Sequence, residues 1–105
     1  MAQWQYGYGG LTHETKVQDI EASLRQAIAA FDTAAGAERD SKAKAVRHLA
    51  ERLLRARSKA LGARLSTLLE PGHKSSDQVR RLQMREQELH AQGVTGILRE
   101  FAFRE

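Results

Sequence analysis

At 105 residues the chain has room for one domain and is too short for two ordinary ones. It contains no cysteine, which excludes disulfide staples and thiolate metal sites. Its 17 Lys and Arg against 13 Asp and Glu leave a net charge of +4, compatible with a nucleic-acid or acidic-protein partner but common among soluble proteins.

The 41% hydrophobic content is mostly Ala and Leu, and with Arg, Glu and Gln it favours helix. A single proline leaves long helices uninterrupted. No run approaches the roughly 18 apolar residues of a membrane span. The opening Met1–Tyr6 shows no basic region followed by an apolar run, so a soluble, cytoplasmic protein is expected.

Residues 1–10 alternate aromatic and small or polar side chains. Trp4, Tyr6 and Tyr8 would share one face of an extended arm. Thr12 reads as an N-cap, with Glu14 near the positive end of the dipole, opening a helix over 11–35. Val17, Ile20, Leu24, Ile28 and Phe31 form its apolar stripe, and Gly36 is its expected terminator.

A second helix is expected over 40–69, capped by Asp40 or Ser41 and stopped by Pro71. It would span roughly 40 Å at 1.5 Å per residue. The turn at 70–74 leads to Ser75 and Gln78, a capping-box pattern for a third helix over 75–92. Val79, Leu82 and Leu89 line that helix, and Gly93 is expected to end it. The segment 94–105 is ambiguous: Ile97, Phe101 and Phe103 suit a strand face, while Ile97, Leu98 and Phe101 suit a helical turn. The expected fold is mainly α, a small three-helix domain with one long central helix and short extended aromatic segments at the termini.

The basicity belongs to the second helix. Between Arg39 and Arg64 nine basic residues face only Asp40 and Glu51, a net +7, so the remainder of the chain carries −3. Lys44, Arg47, Arg52, Arg55 and Lys59 share one broad side. This side is either a solvated face or a docking surface for phosphates and acidic side chains. The opposite side holds Val46, Leu49, Leu53, Leu61, Leu65 and Leu68, with Arg57 and Arg64 set among them. A charge in that position must snorkel, pair or face another chain. Glu86, inside the apolar stripe of the third helix, is the candidate partner for Arg57 or Arg64.

The aromatics near the chain ends, Trp4, Tyr6, Tyr8, Phe101 and Phe103, read either as a cover for a thin core or as a partner-binding edge. No Cys nucleophile or Gly-x-Ser-x-Gly elbow is present, and the Gly-rich start lacks the Lys-Ser/Thr of a phosphate loop. Glu86 and His90, four residues apart, lack an evident third ligand, so no metal or cofactor is expected.

These features point to a noncatalytic regulatory or adaptor protein. In size and helicity it is comparable to small antiactivators and inhibitors, without a motif of any such family. Its expected mode of action is binding a protein partner, with homodimerisation, through the apolar face of the long helix. The alternative is nucleic-acid binding through the basic face. The helix–turn–helix outline supports it weakly: the turn is long, and Arg80, Arg81 and Arg85 are balanced by Asp77, Glu86 and Glu88.

Overall fold

The structure, a computed structural model, describes the backbone of residues 9–70, 72 and 76–105, and side chains from His13 onward within those ranges. Among these residues there are three helices: α1 (Gly9–Thr33), α2 (Gly36–Leu68) and α3 (Ser76–Glu100). No strand occurs among the described residues. The extended arm with Trp4, Tyr6 and Tyr8 lies outside them, apart from Gly9 and Gly10, which belong to α1. Ser75 of the expected capping box also lies outside.

The long central helix has 33 residues and begins four positions before the expected start at Asp40. Neither Asp40 nor Ser41 caps it. Ala35 occupies the N-cap with extended backbone and no side-chain bond, and Gly36 takes φ 61°. Ala37, Glu38 and Arg39 are good helix formers, and Glu38 complements the dipole in the first turn. Arg39 then reaches back across the turn. Its Nη1 donates to the carbonyls of Phe31, which also accepts from the Ala34 N–H, and of Ala34, at 3.3 and 3.4 Å.

The core is one cluster contributed by all three helices. Ile20, Leu24 and Phe31 come from α1, Ala43, Val46, Ala50, Leu53 and Ala56 from α2, and Ile97 from α3. The α2 contribution recurs at three- and four-residue steps, so one stripe faces the core. Three of its five members are alanines, small enough for neighbouring helices to approach closely.

Gly93 breaks α3 rather than ending the helical chain. Its φ of 62° and ψ of −159° fall in a region that is almost exclusively glycine's. Helix resumes at once and carries Val94, Ile97 and Leu98 onto the core. The C-terminal segment is thus helical, and the strand alternative for 94–105 is corrected. It closes in a Schellman turn: the Ala102 N–H donates to the Arg99 carbonyl at 3.0 Å and the Phe103 N–H to that of Leu98 at 2.9 Å. Ala102 sits at φ 58° in the position glycine usually takes.

The Cα extents are 57 × 40 × 14 Å and the radius of gyration is 16.7 Å, against about 13 Å for a compact domain of 100 residues. The Cα trace is thus much thinner, at 14 Å, than it is long or wide. The molecule is a thin slab.

Candidate interaction surface

Arg57 and Phe31 tie the three helices together and thereby define what stays open. Arg57 projects from the apolar side of α2 and is half-buried. Its Nη2 donates to Glu21 of α1 at 2.8 Å, and its two terminal nitrogens donate to the two carboxylate oxygens of Glu100 in α3 at 2.9 and 2.8 Å. The fork-to-fork geometry with Glu100 is the strong form of this interaction. The hydrogen bond from Arg57 holds the Glu100 carboxyl below its ordinary range, and burial opposes it. The same hydrogen bond raises the guanidinium above its already high value.

Phe31 is held on two sides. The Arg39 guanidinium lies 4.0 Å from its ring centroid, and Phe103 meets it edge-on at 4.8 Å. Phe101 lies under Arg25 at 5.2 Å. At the chain end Glu105 pairs with Arg47.

Several sequence expectations change here. Arg57 does pair, but with Glu21 and Glu100 and not with Glu86. Glu21 follows Val17 by four residues, so it lies on the flank of the α1 stripe, next to α2. Phe101 and Phe103 are not a free aromatic edge, because they cover the chain's own core.

The expected apolar interface on α2 divides in two. Val46 and Leu53 are fully buried within the chain and Leu49 packs beside them, so these three serve the core. Leu61, Leu65 and Leu68 stay half-buried and Arg64 is exposed. On the basic side Lys44, Arg52, Arg55 and Lys59 are exposed, with Arg55 3.9 Å from Glu51. Arg47 is partly withdrawn by its pairing with Glu105.

The open surface is the distal half of the α2–α3 hairpin. A groove of about 720 Å³ runs between the last turns of α2, at Arg64, Thr67 and Leu68, and the α3 stretch Gln78–Glu88. It is continuous through Arg64, Arg85 and Glu88 with a second groove that extends to Glu14, Val17 and Glu21 of α1. The first groove offers Leu68, Leu82 and Met84 beside Arg64, Arg81 and Arg85, and no ion pair engages these arginines among the described residues. Among the described residues, the exposed large hydrophobic side chains are at this end too: Leu69 at 64% and Met84 at 53%. Sequence reading missed both, because Met84 lies outside the Val79–Leu82–Leu89 stripe.

His90 Nε2 lies 3.3 Å from Ser58 Oγ across the hairpin. Among the described residues no three His, Asp or Glu side chains gather as metal ligands. None of their helices is long and apolar enough to cross a membrane. Comparison with protein-family models, curated proteins and solved structures finds no match.

Proposed function

We propose that this chain is a noncatalytic helical adaptor or regulator that binds a protein partner through the distal α2–α3 hairpin. The observation that carries this reading is the open groove, where Leu68, Leu82 and Met84 lie among arginines that no ion pair engages among the described residues. A mixed apolar and cationic groove between helices suits an amphipathic segment of another protein. The role expected for the apolar face of α2 thereby narrows to Leu61, Arg64, Leu65 and Leu68. A chain without cysteine is suited to the reducing cytoplasm, where we place this activity.

The test compares wild type with Leu68→Arg as bait in extracts of the source cell. A protein retained by the wild type and lost on substitution, with helicity unchanged, supports the reading. Identical retention by both, or none by either, rejects it.

One observation favours nucleic acid as a second reading. Lys44, Arg52, Arg55 and Lys59 lie exposed along one side of α2, over about 22 Å at 1.5 Å per residue. Phosphate contacts along that strip would give affinity that falls steeply with salt. Binding to mixed DNA and RNA at two salt concentrations decides it: a steep slope, reduced by Lys44→Glu and Lys59→Glu, would displace the protein-partner reading.

A further inference from the structure

At the distal hairpin the outer side of α3 is left exposed. Its charge pattern bears on what covers it. Residues 77, 80, 81, 84, 87, 88 and 91 share one side of the helix at about 100° per residue. Met84, 53% exposed, is at the middle of that side. Arg80 and Arg81 lie one turn before it, and Gln87 and Glu88 one turn after. All four are exposed, and none is engaged in an ion pair among the described residues.

This arrangement is complementary to itself in one orientation only. When two such helices run antiparallel about a two-fold axis at Met84, position 80 of each copy faces position 88 of the other. Arg80 then meets Glu88 twice by symmetry, on either side of a Met84–Met84 contact. In a parallel pairing Arg80 would face Arg80 and Glu88 would face Glu88, which like-charge repulsion disfavours.

We infer that the surface at Met84 is occupied by a second copy of this chain, docked antiparallel along α3. The inference rests on the reading of the distal hairpin as an interaction surface, and it names the occupant of the α3 side. Leu68 and Arg64, across the groove on α2, lie outside the α3–α3 contact. The stretch from 77 to 91 is about 21 Å long at 1.5 Å per residue. A contact of that length falls at the small end of specific interfaces, so the dimer dissociates on dilution.

Sedimentation of the full chain across a concentration series tests this. The wild type is expected to move from the 11.8 kDa mass of one chain toward twice that mass as concentration rises. Met84→Glu, at an exposed position, should keep its helicity and sediment as a monomer throughout. Arg80→Glu and Glu88→Arg should each weaken association about tenfold or more, since each puts two like-charged pairs into the interface. The double variant R80E/E88R exchanges the charges and should restore association to within a few-fold of wild type. That rescue separates the antiparallel register from nonspecific contact of exposed apolar side chains.

A wild type that stays monomeric overturns the inference, as does a dimer whose single charge reversals are not rescued by the double exchange. A monomer that still loses a cellular partner through Leu68→Arg overturns only the second-copy occupant and leaves the proposed function standing. A rescued dimer without any such partner has the opposite meaning. The chain's own aromatic arm is the other occupant to distinguish, and Trp4 is the sole tryptophan. Monomeric protein whose Trp4 emission shifts to the red in Met84→Glu would assign the surface to that arm instead.

Discussion

Two residues in α3 and its C-terminal turn adopt backbone conformations on opposite terms with their side chains. Ala102 holds φ 58° in the Schellman turn, where an L side chain costs about 1–2 kcal/mol relative to the right-handed region. The turn is retained because it swings Phe103 onto Phe31. Gly93 takes φ 62° and ψ −159°, and there the sequence already supplies the residue the geometry needs. The two positions should therefore respond with opposite signs. Ala102→Gly is expected to stabilise the protein by about 0.5–1 kcal/mol, after allowing for glycine's greater freedom in the unfolded chain. Gly93→Ala should destabilise it by about 1–3 kcal/mol. Urea denaturation of both variants checks the pair. Shifts of the same sign would show that local geometry at these positions does not set stability.

Arg57 is the residue on which all three helices converge, and its pairing carries a pH dependence. Glu100 titrates below its ordinary carboxyl range in the folded state because it accepts hydrogen bonds from Arg57. Its contribution is fully present above the unfolded value of about 4.3 and is lost as pH falls through the lower folded value. Glu100→Gln should thus be less stable than wild type at pH 7, and the difference should shrink as acid is added. Arg57→Met keeps the apolar stem but leaves Glu21 and Glu100 facing a lost cation, and should cost about 1–3 kcal/mol at neutral pH. Chemical denaturation at a series of pH values measures both. A Glu100→Gln deficit that stays constant into acid would show that the ion pair is not its source.

At the scale of the elements, three helices and the length of the central one are legible in the sequence, because apolar spacing over many turns is hard to mistake. Their ends are less legible. Asp40 and Ser41 resemble caps, yet α2 starts at Gly36, and Arg39 of its first turn bonds back to the carbonyls of Phe31 and Ala34. Such a contact spans two elements and leaves no local signature. Gly93 is visible as a break, but the conformation of residues 94–105 is not, since Ile97, Phe101 and Phe103 satisfy both periods over so short a stretch. Their conformation is decided by Phe31 and the core, which lie far away in sequence. The misfit of Arg57 in an apolar stripe is legible and does imply a carboxylate. Glu86 fits that role by pattern alone, because it too sits in a stripe. Glu21 fills the role from the flank of α1, together with Glu100 from the segment that suits both strand and helix.

At the scale of the whole molecule, burial is unevenly shared. Ile20 through Phe31, Ala43 through Ala56, and Ile97 supply the core, while between Leu61 and Gln92 Leu89 is the one described residue that is buried. The distal hairpin thus depends on few apolar contacts, and its opening need not disturb the clamp at Arg57 or the packing of Phe103 on Phe31. Local opening costs less where less surface is buried, so the slab should unfold from its distal end. Amide hydrogen exchange in dilute protein is expected to show lower protection for residues 61–68 and 76–88 than for 20–31 and 43–57. A second copy docked at Met84 binds only the closed hairpin, so raising the concentration should selectively slow exchange in 76–88. The Met84→Glu variant should lose that dependence while its core amides remain as protected as in wild type. Uniform protection along all three helices would mean that the hairpin and the core open as a single cooperative unit, with the grooves part of one rigid body.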